Sequence, residues 1–219
     1  MTDKHRRAGP MPDCLEQITA DALPLDQCAR ALGLDGLALL LSHTEGMVPE
    51  PVLIHGRLTE LLEDVQLVHG QGPGDDAVRY GRRVLVPDLA ALPPGPWPGL
   101  VTSIQQLGIS AVFAFPLLLG GMTIGALTGH RTTAGPMSRR QLTDARTLAE
   151  GAARATSREP HWLTESPLPF AAAHQAAGAL AQRHGLSPDH AWLLLRSQAL
   201  AHDQTLLETA HAVLRGRLL

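Results

Sequence analysis

The last part of the chain, residues 170–219, reads FAAAHQAAGALAQRHGLSPDHAWLLLRSQALAHDQTLLETAHAVLRGRLL. Small and apolar side chains recur there with the spacing of one helix face: Ala173, Ala176, Ala177, Leu180 and Ala181. This periodicity predicts an amphipathic helix. Gly185 follows at the position of a left-handed C-cap, so the helix should end at His184.

Two more helices are predicted directly after the first. Ser187 and Pro188 have the order of an N-cap and a first helical residue, and the apolar block 191–195 follows them. Thr205 and Glu208 have the T-x-x-E spacing of a capping box ahead of a further apolar repeat. The stretch therefore predicts a small all-α three-helix bundle, which by pattern alone is typical of an interaction or dimerisation module.

The residues of this bundle resemble an ANTAR domain from about Gln175 to Val213. QAAG at 175–178 matches the family's Q-A-K-G in all but one place, and SPDHAWLLLR at 187–196 matches S-x-x-x-A-[FW]-x-x-L-R. ANTAR domains bind, as dimers, an antiterminator hairpin in nascent RNA. The resemblance therefore implies a dimeric regulator of transcription elongation that contacts an RNA hairpin through Arg183 and Arg196. Gln204 would supply a neutral hydrogen-bonding group where the family often has a basic one.

The bundle departs from the family at positions that carry charge. The family usually has lysine at the position of Ala177 and asparagine at that of Asp203. It usually has basic residues at the positions of Thr205 and Leu207. Residues 170–219 contain four arginines and three acidic residues, a formal balance of plus one. Affinity for RNA depends largely on cationic side chains that displace counterions from phosphates. The alternative is therefore a divergent bundle that acts as a dimerisation or protein-docking module without RNA affinity.

The preceding residues alternate short apolar runs with helical repeats. Strands are predicted at 36–41, 52–54, 84–86, 109–119 and 122–130, and helices at 14–32, 58–69, 75–81 and 100–107. Pro24 should break or restart the first helix. Turns are expected near Glu45-Gly46 and at Gly120-Gly121. This order predicts an α+β domain with a central sheet.

Residues from about Cys14 to Ser157 resemble a GAF domain of the subtype often fused to ANTAR domains in actinobacteria. The similarity rests on the order of short motifs: G-x-G-P at 70–73, DA at 76–77, DL at 88–89, WP at 97–98, FPL at 115–117 and GAL at 125–127. The resemblance implies a central antiparallel sheet flanked by helices, and a sensor with a pocket for an unidentified small molecule. Trp97 and Phe115 are the candidates for lining it. Gly74 stands where this subtype commonly has a cysteine, so no redox role is expected there.

Two segments between these motifs have alternative interpretations. The glycine-rich stretch 70–74 could cradle a phosphate, but Asp75 and Asp76 would repel one, which favours a tight turn into a short helix. Ser138 and Gln141 form a capping box that opens a predicted signalling helix. Prolines at 160, 167 and 169 exclude one rigid rod from Gln141 to His184, so a signal would pass through a hinge or through docking.

Composition limits the remaining classes of function. The net charge of −3 gives no overall attraction to nucleic acid or membrane, and two cysteines without a zinc-ligand spacing favour a reducing, cytoplasmic compartment. No apolar run is long enough to span a bilayer. We expect no catalytic residues, no metal and no cofactor. The predicted organisation is a disordered N-terminus at 1–13, a sensor domain at 14–157, a linker at 158–169 and the bundle at 170–219.

Overall fold

The computed structural model describes residues 11, 14, 18, 23–42, 48–158, 163 and 168–218. Within these residues the strands are β1 Gly36–Leu41, β2 Glu50–His55, β3 Val84–Val86, β4 Ala111–Leu119 and β5 Met122–Arg131. They form one antiparallel sheet in the order β2-β1-β5-β4-β3. The predicted α+β class with a central antiparallel sheet is confirmed.

The sheet follows the local sequence signals closely. Gly120 and Gly121 join β4 to β5 with φ values of 58° and 86°, as a tight hairpin turn with two left-handed residues requires. β1 is buried along its whole length between β2 and β5. Its register against β2 shifts between Leu39 and Leu40, where Pro51 lies opposite. The predicted turn at Glu45-Gly46 lies outside the described residues.

The helices of the sheet domain, within the described residues, cover both faces of the sheet. They are α1 Leu25–Leu32, α2 Arg57–His69, α3 Pro73–Tyr80, α4 Leu100–Gln106 and α5 Arg139–Thr156. α1 begins directly after Pro24, which has no N–H group for a helical hydrogen bond. α1 and α5 pack on the face that carries Phe113 and Phe115, whereas α2, α3 and α4 pack on the face that carries Val112 and Ala114. Of residues 1–22, the structure describes only 11, 14 and 18. Most of the N-terminus predicted to be disordered, and most of the helix predicted before Pro24, therefore lie outside the described residues.

The C-terminal region is the predicted bundle of three helices, α6 Ala171–His184, α7 Pro188–Ala201 and α8 Leu206–Leu214. Gly185 is a left-handed C-cap, Ser187 caps α7, and Thr205 with Glu208 forms a complete capping box on α8. Each of these caps was predicted. α5 ends at Thr156 and α6 begins at Ala171, and Pro160, Trp162 and Pro167 lie outside the described residues.

The core of the bundle does not close on itself. Leu67 and Val68, near the end of α2, are buried in the same apolar cluster as Phe170, Leu180 and Leu195 of the bundle. α2 thus has the sheet on one side and the bundle on the other. The two domains share a packed surface along this helix, and the candidate site lies there.

Candidate functional site

Arg196 lies in the contact between the two domains. Its half-buried side chain extends from α7 to the C-terminal end of α2, where Nε donates a hydrogen bond to the carbonyl oxygen of Val68 at 3.1 Å. Burial lowers the pKa of Arg196 and the carboxylate of Asp75 opposes that shift, but an arginine remains charged at neutral pH. A cation at a helix C-terminus is favourable because the unpaired carbonyl groups carry partial negative charge. The contact therefore stabilises both α2 and the docking of the bundle.

Gly70 makes room for this guanidinium group. It is the left-handed C-cap of α2, with φ 64°, and its N–H donates to the carbonyl of Gln66. A Cβ atom at Gly70 would lie 1.6 Å from Nη2 of Arg196. Two independent requirements, a left-handed backbone and close approach, thus fix glycine at this position.

The rest of the glycine-rich stretch forms a turn that leads into α3. The backbone N–H of Gly74, in the first turn of α3, donates to Oε1 of Gln66 at 3.1 Å. A Cβ at Gly72 would lie 2.4 Å from the same oxygen. Asp75 is buried, with 7% of its surface exposed, and burial raises its pKa. The interpretation as a tight turn into a short helix fits this geometry.

Asp64 of α2 caps a helix of the other domain. Both of its carboxylate oxygens accept from the backbone N–H of Leu206, at 3.0 Å each, at the start of α8. Asp64 is 2% exposed, and burial raises its pKa to about 6 although the backbone donors of α8 act against the shift. A carboxylate is favourable at a helix N-terminus, where N–H groups lack partners. α2 therefore binds the bundle at the N-terminus of α8 as well as through Arg196.

A third polar contact joins α6 to the sheet. Nε2 of His174 lies 2.6 Å from Oε2 of Glu50, on β2, and the imidazole stacks on Trp192 with ring centroids 5.0 Å apart. The hydrogen bond to Glu50 raises the pKa of His174, with burial acting in the opposite direction. Protonated His174 would pair with Glu50, which is only 7% exposed.

The predicted RNA contacts are distributed between solvent and this interface. Arg183 is exposed at the C-terminal end of α6, and Gln204 is exposed in the turn before α8, where its Oε1 accepts from Thr209 at 3.4 Å. Arg196 lies about 12 Å along α7 from its first residue, on the side that faces α2. With the domains docked, the structure presents Arg183 and Gln204 to solvent and holds Arg196 against α2.

Trp97 and Phe115, the predicted pocket residues, do not line one cavity. Trp97 is buried with α4 on the α2 face of the sheet, and its Nε1 donates to Asp76 at 3.1 Å. Phe115 is buried on the opposite face, against α5. Side chains on opposite faces of a sheet cannot meet, so these two residues belong to different sites.

A row of buried polar side chains under α2 was not predicted. Glu63, 1% exposed, accepts hydrogen bonds from Thr128 of β5 and from Nε2 of Gln66, the latter at 2.8 Å. Burial raises the pKa of Glu63 to about 7. His130, two residues after Thr128, is fully buried, and neither ring nitrogen has a hydrogen-bond partner within the described part of the chain. Burial lowers the pKa of His130 to about 4.

Neither a metal site nor a membrane span is found among the described residues. They contain no group of three or more histidine, cysteine or acidic side chains that could hold a metal ion. None of the described helices is both long and apolar enough to cross a membrane.

Several solved structures have a domain similar to the sheet domain of this chain. The GAF domain from an Acinetobacter phosphoenolpyruvate-protein phosphotransferase is 10% identical, covers 71% of this chain and 95% of its own, and gives a TM-score of 0.53. The equivalent domain from Coxiella burnetii is 18% identical, covers 68% and 94%, and gives 0.51. Free methionine-R-sulfoxide reductase from Neisseria meningitidis is 17% identical, covers 73% and 95%, and gives 0.50. At these identities the similarity shows the fold alone.

Family comparisons identify both regions of the chain. The GAF domain family matches residues 23–156 and the ANTAR domain family matches residues 171–214. No curated protein is significantly similar to the whole sequence. The two matches follow the sheet domain and the helical bundle described above. The chain therefore belongs to the GAF domain family and, with the ANTAR domain that follows, has the organisation of a GAF–ANTAR regulator.

Proposed function

We propose that the GAF domain controls RNA binding by the ANTAR bundle, and that the released bundle promotes transcription antitermination on an RNA hairpin. The two domains together make the chain a sensor-regulator of transcription. The observation that carries the proposal is the position of Arg196, whose guanidinium group is held by the C-terminal end of α2. The same residue matches the arginine that closes the ANTAR motif.

The docked arrangement limits the positive charge that RNA can reach. Arg183, Arg215 and Arg217 are exposed on or after the bundle helices, whereas Arg196 is half-buried against α2. Each cation that contacts a phosphate adds to affinity and to its dependence on salt. Release of the bundle would add Arg196 to the surface, so RNA and α2 compete for this residue.

A connected set of contacts supports control by the sheet domain. Thr128 of the sheet donates to Glu63, Glu63 accepts from Gln66, and Gln66 holds the backbone of both Gly70 and Gly74. A small molecule or a proton that changes the hydrogen bonds of Glu63 would therefore shift the end of α2 that binds Arg196. Coupling between the two domains would require that the hydrogen bonds of Thr128, Glu63 and Gln66 have two alternative arrangements, and that a ligand favours one of them.

We assign the chain no catalytic role. The thiols of Cys14 and Cys28 are both buried, and burial together with the neighbouring Cys14 raises the pKa of Cys28. A thiol that stays protonated is a poor nucleophile. The proposed setting is the cytoplasm, with nascent RNA as partner, a homodimer as the active form and an unidentified small molecule as the signal.

Gel-shift titrations of the full chain test RNA recognition. The probe is a paired-hairpin RNA, and the control is a scrambled single strand of the same length, both at several salt concentrations. Hairpin binding should be tighter than scrambled binding, and Arg183→Ala should weaken it and reduce the salt slope by about one. Equal affinity for both RNAs at every salt concentration would refute RNA recognition.

Exposed leucines on the bundle favour a second candidate, a dimerisation or protein-docking module. Leu193, Leu200 and Leu214 have 58%, 52% and 42% of their surface exposed. Light scattering after size-exclusion chromatography distinguishes the two candidates when it is combined with the gel shifts. A dimer that Leu193→Gln dissociates, together with no preference for the hairpin, would favour docking alone.

A further inference from the structure

A groove beside α5 lies outside both the domain contact and the buried polar row. α5 packs across β4, while β3 at the sheet edge is only three residues long, and the space between them forms an open cavity of about 420 Å³. This volume falls in the range of roughly 300–1,000 Å³ that is typical of small-molecule sites.

The groove combines an apolar floor with two cations. Phe115 and Leu118 of β4 and Leu142 of α5 supply the apolar surface. Arg83, just before β3, and Arg146, on α5, line its edges. Arg146 pairs with Glu150 at 2.8 Å, and no acceptor contacts Arg83 within the part of the chain that the structure describes. The lining thus has a formal charge of plus one and an arginine available for an anion.

We propose that this groove binds an amphipathic organic anion. Its carboxylate or sulfonate group would lie between Arg83 and Arg146, since a guanidinium group can donate two parallel hydrogen bonds to two oxygens of one anionic group. Its apolar body would cover Phe115 and Leu142.

The occupant would bear directly on α5. Leu142, Arg146, Ala149 and Glu150 form the groove wall on this helix. The buried residues Ala145, Leu148 and Ala152 hold the other side of α5 on the sheet. Among the helices whose bounds the structure gives, α5 directly precedes the bundle, so the binding of an anion would act on the bundle through α5. Only this consequence depends on the proposed function; the binding itself does not.

Fluorescence titration with 8-anilinonaphthalene-1-sulfonate, an anion with an apolar ring system, tests the site on the full chain without RNA. We expect one saturable site that sodium decanoate displaces and neutral 1-decanol does not. Arg83→Gln/Arg146→Gln should weaken binding by about tenfold, and Arg83→Gln alone by about threefold, as for partly exposed charge pairs.

Arg82→Gln/Arg140→Gln is the matched control, because it removes the same charge from neighbouring positions. Arg82 lies over the ring of Tyr80 and Arg140 pairs with Asp144, and neither lines the groove. The control should bind within about twofold of the wild type. All four arginines are exposed, so circular dichroism should show unchanged folding. Equal weakening in both double variants, equal displacement by decanol, or absence of saturable binding would each overturn the proposal.

Discussion

Substitution of Gly70 by alanine should break the contact between α2 and Arg196. The new Cβ would lie 1.6 Å from Nη2, so the guanidinium group must move away from the carbonyl of Val68. Gly81 offers a matched control, since it is the left-handed C-cap of α3 with φ 60° and its Cβ would meet only Thr123, at 3.3 Å. Both substitutions carry the backbone penalty, and only one displaces Arg196.

The expected magnitudes follow from these two contributions. Alanine in the left-handed region costs about 1 kcal/mol, so Gly81→Ala should lower the free energy of unfolding by about that amount. A hydrogen bond to a charged group contributes roughly 1.5–3 kcal/mol. Gly70→Ala should therefore cost about 3 kcal/mol in the wild type but only about 1 kcal/mol when Arg196 is already alanine.

Urea unfolding of the four proteins in this double-mutant cycle gives the coupling energy directly. Circular dichroism and tryptophan fluorescence should report coincident transitions, which licenses a two-state treatment. We expect a coupling of about 2 kcal/mol between positions 70 and 196. Additive effects, or a Gly70→Ala cost equal to that of Gly81→Ala, would show that the guanidinium contact contributes nothing to stability.

Three further predictions concern pH and the buried polar groups. Burial raises the pKa of Glu63 to about 7, so the contribution of Glu63 to stability is present below about pH 4.5 and is lost as pH rises through 7. Between pH 5 and pH 8 this loss lowers the free energy of unfolding of the wild type by about 3 kcal/mol, and Glu63→Gln should abolish the difference in urea unfolding at the two pH values. The pKa of His130 is lowered, so its pH dependence runs the other way: the contribution of His130 to stability is present above about pH 6.5 and is lost as pH falls through 4. Thermal unfolding of His130→Leu should therefore be less sensitive to acid than that of the wild type over this pH range. Equal sensitivity would contradict the lowered pKa of His130. His174 has a raised pKa, so its pairing with Glu50 stabilises the protein below about pH 6.5 and the effect is lost as pH rises through the folded-state pKa; His174→Phe should cost more stability at pH 6 than at pH 8, and an equal cost would contradict this.

Much of the fold could be predicted because its signals are local. Caps depend on residues three or four positions apart, and Gly185, Ser187 and Thr205 each cap the helix that the sequence predicted. The hairpin at Gly120-Gly121 is equally local. The antiparallel sheet follows from the order of these elements together with the resemblance to GAF domains.

The candidate site depends on contacts between distant residues, which local patterns do not contain. Val68 and Arg196 are 128 positions apart, and Asp64 and Leu206 are 142 positions apart. α2 has polar residues in an apolar repeat, which is typical of a helix with one face in water. In the structure Glu63 is buried on the sheet side of α2 and Asp64 on the bundle side, because the bundle covers the side of α2 that faces away from the sheet.

Trp97 and Phe115 also show where local sequence patterns stop predicting the position of a side chain. Phe115 alternates with Phe113 along β4, so its face of the sheet follows from a period of two once the strand is known. Trp97 lies in an irregular loop with φ 52°, and no periodicity determines which face such a residue packs on.

The affinity of the full chain for paired-hairpin RNA, compared between Gly70→Ala and Gly81→Ala at one salt concentration, tests most directly whether the GAF domain withholds Arg196 from RNA. Gly70→Ala should remove about 2 kcal/mol of docking free energy, which otherwise opposes RNA binding. The variant should therefore bind the hairpin about tenfold or more tighter than the wild type, since 1.4 kcal/mol is a factor of ten in an equilibrium constant. Gly81→Ala should bind as the wild type does. If Gly70→Ala binds the hairpin no more tightly than Gly81→Ala, the contact with α2 does not gate the output.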